Sequence, residues 1–392
     1  MKKIVFGFIL AVLIPSFLLF AAPRNEFSPP PKSVNVFLVG TGVVGSALLE
    51  QLNTNNELFR EHYGIDIRVV GIANSRSMHT NSKGIDLKEW RSITEQSKEE
   101  ISWEKYLSFL CHSDLSNVVF VDCSSSQTIA DSYPTILESG ISIVTPNKKA
   151  NSGSFANYQI LQDLITAHKA KFFYDSNVGA GLPILSTLDD LSKSGDQLVK
   201  VEAILSGTLS YIFNSFKPGT LFSEIVREAQ KKGYTEPDPR DDLNGMDVAR
   251  KLLILTREAG FALEMQDIEL QNILPPDCSQ AKSVDDFYAK LASYDSFFTQ
   301  KRDQAQAEGK RLLYIASFED GKAAIRLQTV GPEHPFYHLS GNDNIAAITT
   351  KYYAKNPLVI QGPGAGADVT AAKVLQGIVR IGVALPNTTQ KF

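Results

Sequence analysis

The feature that most limits the fold is a glycine-rich turn that joins an apolar run to a helix-forming segment. The run at 34–39 has the length of a strand, and it leads through Gly40-Thr41-Gly42-Val43-Val44-Gly45 into Ser46-Ala47-Leu48-Leu49. In a dinucleotide-binding unit, the first glycine permits the tight turn, the second lets the backbone approach a pyrophosphate, and the third allows close helix–strand packing. The N-terminus of the helix then faces the phosphate charge. This order of elements predicts that Gly40–Gly45 binds a dinucleotide.

The segments that follow alternate between strand-like and helix-like patterns. We expect strands at 65–73, 118–122, 141–145 and 171–174, and helices at 127–139 and 155–170. This alternation predicts an α/β fold with a Rossmann-type, doubly wound parallel sheet. Ligands of such sheets bind at the carboxyl ends of the strands, so we expect Ser124 and Lys148 to border the cofactor crevice. Lys149 is interpreted as surface charge, which is also the simpler interpretation of Lys148.

The loop after the second strand indicates which dinucleotide binds. Where NAD-binding proteins place an acid that holds the ribose, this chain has Asn74-Ser75-Arg76. An acid would repel the 2′-phosphate of NADP(H), whereas Arg76 is able to pair with it. We therefore predict NADP(H) as the preferred cofactor, with NAD(H) as the second candidate. The alternative is that Arg76 is only a solvated loop residue.

Residues 233–251 combine many ionisable groups in an unusual order. Two prolines, Pro237 and Pro239, keep the first half extended, and a turn at Asn244-Gly245 precedes a helix that we expect to begin near Met246. The extended half is rich in acids, and the helix adds a further acid and a lysine. This arrangement is typical of an active-site segment.

On the expected helix, Asp247 and Lys251 are four residues apart and therefore share one face. The apolar side chains lie mostly on the other face: Val248, Ala249, Leu252, Leu253 and Leu255. One interpretation is an ordinary solvated helix pair, worth about 0.2–0.5 kcal/mol. The acidic loop that precedes the helix favours the second interpretation, in which these residues form an active site.

The overall composition excludes several classes of protein. With 392 residues, a formal net charge of −4 and 43% hydrophobic residues, the chain has ample core for two or three lobes. Lysine and arginine are scattered, so nothing predicts a nucleic-acid partner. The three cysteines, Cys111, Cys123 and Cys278, are too few for a disulfide framework and are expected to be reduced and buried. The six histidines are dispersed, and we expect no transition-metal site.

The amino terminus does not fit this picture. Lys2 and Lys3 precede an apolar run from Ile4 to Phe20 that ends in Ala21-Ala22, as in a secretory signal. The same run would also suit a short membrane anchor, and membrane association is expected only in that case. A fusion scar, a misassigned start or a non-functional extension are the alternatives. A polar, proline-rich linker at Arg24–Lys32 follows, and the dinucleotide signature beyond it favours a cytoplasmic protein.

The pattern changes beyond Leu182. We expect a helix up to Ser194 and strands at 198–205, 312–318 and 323–330 that are separate from the parallel sheet. They predict an α+β second lobe. An apolar helix at 368–381 is expected to return to the first lobe near the nicotinamide. The expected domains are an extension at 1–32, a nucleotide-binding domain at 33–176, a second domain at 177–362 and the returning segment at 363–382.

Several motifs, taken in order, carry a resemblance to a known family. They are Gly40–Gly45, Thr145–Ala150, Asn177–Pro183, Ser206–Thr208, the 233–251 block and Gly362–Gly366. From about Val34 to about Gly382 the chain resembles homoserine dehydrogenase, and most of all the carboxyl-terminal half of bifunctional aspartokinase/homoserine dehydrogenases. The resemblance implies reversible NAD(P)H-dependent reduction of L-aspartate 4-semialdehyde to L-homoserine, in threonine and methionine biosynthesis.

The resemblance also implies roles for individual residues. Glu236 and Asp247 match residues that hold the amino-acid substrate, with Asp242 nearby. Lys251 matches the catalytic lysine, and Lys148 matches a second lysine where cofactor and substrate meet. The glycine turn, Arg76, Ser124, Lys148 and Gly364 are the expected cofactor contacts.

A monovalent cation is also implied. Asp175 and the backbone at Val178, Ala180 and Leu182 resemble the sodium site of the family, although the family also uses glutamate where this chain has Asp175. A glycine-rich bend between the lobes explains the same residues without an ion. The family further implies that the second domain binds substrate and forms a homodimer.

The bifunctional proteins carry an aspartokinase and a regulatory region ahead of this domain. Because few residues precede Val34 and only a tail follows Gly382, we expect threonine not to inhibit this chain strongly.

Two other functions are weighed against this one. Another Rossmann dehydrogenase, such as aspartate-semialdehyde dehydrogenase, would need a nucleophilic cysteine, and Cys123 has no activating histidine beside it in the sequence. A non-catalytic sensor that keeps the dinucleotide fold would be expected to have lost Lys251 or the acids.

Overall fold

The computed structural model describes residues 30–97 and 100–386. The signal-like run at Ile4–Phe20 lies outside the described residues, so its interpretation stays a prediction. Within the described part of the chain, no helix has both the length and the apolar character needed to cross a bilayer.

The first lobe is built on a six-stranded sheet with the order β3-β2-β1-β4-β5-β6. Its strands are β1 (Lys32–Val39), β2 (Ile65–Ala73), β3 (Met78–Thr80), β4 (Val118–Asp122), β5 (Ser142–Val144) and β6 (Phe172–Phe173). All neighbours are parallel except β2 and β3, which are antiparallel. The predicted doubly wound sheet is confirmed, and β2 and β4 have the predicted bounds.

Six helices cover this sheet: α1 (Val43–Tyr63), α2 (Trp90–Gln96), α3 (Trp103–His112), α4 (Gln127–Ala130), α5 (Tyr133–Glu138) and α6 (Phe155–His168). The single helix expected at 127–139 is wrong, because the chain forms two short helices there. Pro134 lies in the first turn of α5 and has no backbone N–H to continue the hydrogen-bond ladder from α4.

The second lobe contains another six-stranded sheet, with the order β12-β11-β7-β9-β10-β8. Its strands are β7 (Leu198–Ile204), β8 (Ile268–Leu270), β9 (Arg311–Glu319), β10 (Lys322–Val330), β11 (Asp343–Thr350) and β12 (Leu358–Pro363). All neighbours are antiparallel except β8 and β10. The sequence predicted three of these strands and missed β8, β11 and β12.

The second lobe also contains helices, some of which pack directly on that sheet. They are α7 (Ile184–Lys193), α8 (Gly207–Ser215), α9 (Phe222–Lys231), α10 (Arg240–Leu243), α11 (Met246–Glu258), α12 (Pro276–Ser279), α13 (Val284–Ala292) and α14 (Asp295–Ala307). Helix α11 begins at the predicted residue. Its apolar face is buried as expected, with Leu252, Leu253 and Leu255 at 0% exposure.

The last helix, α15 (Ala367–Ala384), returns to the first lobe as predicted and packs on α1. Two glycines allow the close approach. A Cβ at Gly377 would lie 2.7 Å from Val144 Cγ1, and one at Gly382 would lie 3.0 Å from Val34 Cγ2. Larger side chains would push the helix away from β1 and β5.

Arg257 joins the two lobes near the end of α11. Its side chain is fully buried, and its Nη1 donates to the backbone oxygens of Asn151 and Gly153 of the first lobe, each at 2.9 Å. Its Nε and Nη2 atoms both donate to Leu263 O, and Nη2 also donates to the Glu264 carboxylate. A buried guanidinium that satisfies several carbonyls leaves all of them unpaired when it is removed.

We expect Arg257→Ala to destabilise the protein by roughly 2–5 kcal/mol, because buried acceptors would lose their donors. Thermal unfolding followed by circular dichroism measures this loss. Arg326→Ala is the matched control, since Arg326 pairs with Glu269 on the surface and its loss should cost about 0–1 kcal/mol. Equal unfolding temperatures for the two variants would show that Arg257 does not hold the lobes together.

Candidate active site

One carboxylate shared by two lysines joins the lobes. Lys251 Nζ lies 2.7 Å from Asp247 Oδ2, and Lys148 Nζ lies 3.4 Å from Asp247 Oδ1. Asp247 and Lys251 belong to α11, whereas Lys148 follows β5 at the carboxyl end of the parallel sheet. The structure therefore brings together Asp247, Lys251 and Lys148, three residues to which the resemblance assigns roles in catalysis and substrate binding.

Lys251 is not an ordinary solvated lysine. Its side chain is 12% exposed, and Nζ also donates to Leu205 O at 2.7 Å. Leu205 directly precedes the Ser206–Thr208 turn at the start of α8. Two of the three ammonium donors thus meet protein acceptors, and across residues 30–97 and 100–386 the third has no hydrogen-bond partner. The interpretation as a solvated pair is wrong for Lys251, and one donor is available for a ligand oxygen.

The two lysines keep Asp247 ionised. Crowding of the carboxyl group by protein atoms would by itself raise its pKa, although the side chain is partly exposed at the mouth of the site. The ammonium groups of Lys251 and Lys148 outweigh this effect and hold the pKa of Asp247 well below its usual range. Desolvation lowers the pKa of Lys148, with Asp247 opposing the change. The site therefore presents an ionised carboxylate held between two amines.

The acidic loop lies beside this bridge. Asp242 accepts hydrogen bonds from the backbone N–H of Glu236 at 2.8 Å and from the Thr208 hydroxyl at 2.9 Å. Burial raises the pKa of Asp242, and the nearby charges of Glu236 and Asp247 add to the rise. The acids of this loop lie close to the ionised Asp247, and such an arrangement is complementary to an ammonium group. Thr208 was not predicted from the sequence as a site residue, although its motif was noted.

Gly245 fixes the direction in which α11 leaves this loop. It has φ +74°, and a Cβ there would clash with the Tyr314 hydroxyl. Only glycine adopts this positive φ without strain and has no Cβ to clash with Tyr314. The turn predicted at Asn244-Gly245 is thus confirmed. It sets the direction of α11 and therefore the position of Asp247 in the first turn of that helix.

A buried polar network, which sequence reasoning missed, positions Lys148. Asp122 Oδ2 accepts from the Tyr133 hydroxyl at 2.8 Å and from Asn147 Nδ2 at 2.9 Å, while Asp122 Oδ1 accepts from the Ser124 backbone at 2.7 Å. The Thr145 hydroxyl donates to Asp122 O and accepts from the Asn147 backbone, each at 2.8 Å. The loops after β4 and β5 are therefore tied together. The one feature of the sequence that pointed to this network was Asp122, an acid at the end of a buried strand.

The glycine turn has the geometry that was predicted for it. Gly40 has φ +91°, and a Cβ there would lie 2.7 Å from the backbone of Ser124. A Cβ at Gly45 would overlap Gly40 O, so helix and turn pack closely. Around Gly42 no atom of the described residues lies within 4 Å of an added Cβ, and α1 begins directly after it. The turn, with Thr41, Val43 and Val44, leaves room for a phosphate at a helix N-terminus.

A pocket beside the turn contains the loop that was predicted to read the 2′-phosphate. It is lined by Thr41, Asn74, Arg76, Ser77 and Arg91, among others. Asn74 Oδ1 accepts from the backbone N–H groups of Arg76 at 2.8 Å and Ser77 at 2.9 Å. Arg76 is exposed on this pocket. Arg91, on α2, is a second cation there that the sequence did not reveal, since its closeness depends on the fold.

Gly364 lies in the loop between β12 and α15, where a Cβ would overlap the Asn344 amide. Asn344 is fully buried, and neither side-chain atom has a hydrogen-bond partner within the described residues. The next residue, Ala365, lies near Gly207, whose added Cβ would be 3.9 Å from Ala365 Cβ. The loop that carries Gly364 and Ala365 thus lies close to the Ser206–Thr208 turn.

The residues expected to hold sodium lie at the junction of the lobes, where the Asp175 carboxylate faces a lysine of the protein. Asp175 begins a 3₁₀ turn that leads to Val178, Ala180 and Leu182. Lys373 Nζ, from α15, lies 3.7 Å from Asp175 Oδ1. An ion bound by this carboxylate would lie next to a fixed ammonium group and be repelled.

Cys123 does not supply a nucleophile. Burial raises the pKa of its thiol well above the usual range, and the neighbouring Asp122 raises it further. All three cysteines are free; Cys278 is buried, whereas Cys111 and Cys123 are half-buried rather than fully buried as expected. A thiol held neutral does not suit the chemistry of aspartate-semialdehyde dehydrogenase.

Comparison with known proteins identifies the family of the chain. The family model of homoserine dehydrogenase matches residues 183–379, and the model of the homoserine dehydrogenase NAD binding domain matches residues 40–175. A homoserine dehydrogenase of Schizosaccharomyces pombe is 41% identical over 362 residues, which cover 89% of this chain and 95% of that protein.

Longer relatives match as well. The chloroplastic bifunctional aspartokinase/homoserine dehydrogenase 1 of Zea mays is 42% identical over 92% of this chain, which spans 40% of the length of that relative. A crystal structure of a Candida auris protein of unknown function superposes with a TM-score of 0.83 at 37% identity, covering 90% of this chain and 99% of that one. From its two matching domain models and its near full-length yeast relative, the chain belongs to the homoserine dehydrogenase family.

Proposed function

We propose that this protein catalyses the reversible reduction of L-aspartate 4-semialdehyde to L-homoserine with a reduced nicotinamide cofactor. The observation that carries the proposal is the carboxylate of Asp247 shared by Lys251 and Lys148 at the carboxyl end of the parallel sheet. It places cations and acids beside the crevice that opens at the glycine turn. The family relatives that carry this name support the same reaction.

The charges of the site are complementary to the substrate. Its ammonium group would bind at Glu236 and Asp242, because a cation placed between neighbouring carboxyl groups offsets their mutual repulsion. Its carboxylate and its aldehyde oxygen would face the lysines. The acids are on the loop before α11 and Lys251 is on α11, so the amino-acid end of the substrate would lie at the acids and its aldehyde end at Lys251.

Lys251 would act on the reacting oxygen. When bound, the nicotinamide supplies the hydride that attacks the aldehyde carbon. Negative charge then develops on the oxygen, and the free donor of the Lys251 ammonium group would stabilise or protonate it. Asp247 and Leu205 O fix this ammonium group, so little reorganisation would be needed. Lys148 and Asp247 would complete the catalytic set.

NADP(H) is the proposed cofactor, in preference to NAD(H). Two cations, Arg76 and Arg91, line the pocket next to the glycine turn. The Arg91 guanidinium lies 4.4 Å from the Trp90 ring centroid and pairs with Glu50 on the surface. A 2′-phosphate between two arginines would gain charge-assisted hydrogen bonds that a ribose hydroxyl does not provide.

Each domain would have its own role in the reaction. Residues 33–176 would bind the nucleotide, residues 177–362 would bind substrate and form a homodimer, and residues 363–382 would close the nucleotide lobe. The exposed side chains of Val359, Tyr352 and Tyr353 at the β11–β12 edge support an apolar contact there. Light scattering would give the mass of two chains, and a monomer mass at micromolar concentration would contradict the dimer.

We propose a cytoplasmic location for this reaction, since it draws on a soluble nicotinamide cofactor. A monovalent cation is not part of the proposal, because the Lys373 ammonium group lies 3.7 Å from the carboxylate that would bind it.

The reaction is tested directly by following NADPH oxidation with aspartate 4-semialdehyde as substrate. We expect saturable turnover, and the reverse reaction with homoserine and NADP⁺. Tight NADPH binding without turnover of either substrate would instead support the alternative, a non-catalytic dinucleotide-binding sensor.

Changing Lys251 to alanine separates catalysis from stability. We expect kcat to fall by about 10²–10⁴, the usual cost of losing a general acid or an oxyanion donor, with NADPH affinity little changed. Lys290→Ala is the matched control, because Lys290 forms the same i,i+4 pair with Asp286 on α13. A folded Lys251→Ala variant with kcat near that of the control would remove Lys251 from the mechanism.

Changing Asn74 to aspartate tests the cofactor preference. The variant keeps the oxygen that accepts from Arg76 and Ser77, so the loop should stay folded, but the new charge repels a 2′-phosphate. We expect KM for NADPH to rise by about 10–100-fold, while NADH is used as well or better. Asn81→Asp is the control, because Asn81 Oδ1 caps a similar turn at Lys83. Equal use of NADPH and NADH by the unmodified protein would show that this loop does not read the phosphate.

A further inference from the structure

The pair formed by Lys373 and Asp175 is an unusual feature of the lobe junction. Lys373 Nζ lies 3.7 Å from Asp175 Oδ1 and 3.4 Å from the Ser186 hydroxyl. The Lys373 and Asp175 side chains are only 7% and 13% exposed. Both charges have therefore left most of their water, which is unfavourable unless each compensates the other.

Asp175 needs a positive partner at this position. Its Oδ1 is buried and has no hydrogen-bond partner within the described residues. A carboxylate in this state is stabilised by a cation, from the protein or from solution. Lys373 supplies one from the middle of α15.

The charged groups around this pair have partners of their own. Lys193 Nζ lies 2.5 Å from Asp189 Oδ2, and the Tyr174 hydroxyl lies 2.5 Å from Glu258 Oε2. Arg380, also on α15, lies over the ring of Phe173 at 4.5 Å. Among residues 30–97 and 100–386, Lys373 is the cation that lies within 4 Å of the Asp175 carboxylate.

Packing of α15 fixes the position of the Lys373 ammonium group. A Cβ at Gly181 would lie 2.9 Å from Val369 O, and one at Gly377 would lie 2.7 Å from Val144 Cγ1, so α15 is held on both sides of Lys373. A tethered cation has a high effective concentration and does not lose translational freedom on binding. It would exclude a free ion of the same charge from the Asp175 carboxylate.

We propose that Lys373 is a built-in monovalent cation, which replaces a free sodium or potassium ion at Asp175 and makes the fold independent of both. The ammonium group neutralises Asp175, and it ties α15 to the turn that carries Val178, Ala180 and Leu182. This inference goes beyond the proposed reaction and does not depend on it, because its test measures ion binding and stability.

Ion binding to the unmodified protein is the first test. Thermal unfolding is compared in sodium, potassium and choline chloride at equal ionic strength, and ²³Na NMR line width is measured at rising protein concentration. We expect equal unfolding temperatures in the three salts and no broadening beyond that of a control protein. A saturable rise in unfolding temperature specific to sodium or potassium, with ²³Na broadening, would overturn the proposal.

The second test creates the free-ion site. Lys373→Ala removes the tethered charge and leaves Asp175 in place, so we expect a lower unfolding temperature that sodium or potassium, but not choline, restores in a saturable way. Lys373→Arg keeps the charge and should show no ion dependence. Lys193→Ala removes an exposed lysine close by and is the matched control, also without ion dependence. A folded Lys373→Ala variant that responds equally to all three salts would show that Lys373 does not take the place of an ion.

Discussion

The site depends on one electrostatic contact, the sharing of the Asp247 carboxylate by Lys251 and Lys148. The lysines come from different lobes, so the contact exists only when the lobes are assembled. Asp247 remains ionised because two ammonium groups outweigh its desolvation. Removing the carboxylate would leave two amines close together without a counter-charge. Asp247 therefore sets where the lysine of each lobe lies at the crevice.

Other contacts hold this bridge in place from either side. Asp122 ties the loops after β4 and β5 together through Asn147, which precedes Lys148. At the far end of α11, Arg257 binds backbone oxygens of the first lobe. Helix α11 is thus fixed to the nucleotide-binding lobe at both of its ends. The acids of the preceding loop lie on the other side of the bridge, so a substrate with an ammonium group and an aldehyde would find its two ends separately recognised.

Local patterns of the sequence predicted much of this structure. The strands β2 and β4, the start of α11 and the glycine turn follow from periodicity, glycine and turn residues that act over a few positions. Contacts between distant segments did not follow in the same way. The Asp122–Asn147 network, Arg91 beside Arg76, and Lys373 beside Asp175 depend on how the chain folds back. Strand β11 carries the β-branched residues Ile345, Ile348, Thr349 and Thr350, but Ala346 and Ala347 interrupt them, and burial on both faces leaves no alternation of polar and apolar residues.

The most direct test of the account is a crystal structure of the protein with NADP⁺ and homoserine bound. If Lys251 acts on the reacting oxygen, the homoserine hydroxyl oxygen will lie within hydrogen-bond distance of Lys251 Nζ. The homoserine ammonium group will lie at Glu236 and Asp242, and the 2′-phosphate will lie between Arg76 and Arg91. A complex in which Lys251 still contacts Asp247 and Leu205 O, but no homoserine atom, would contradict the central claim.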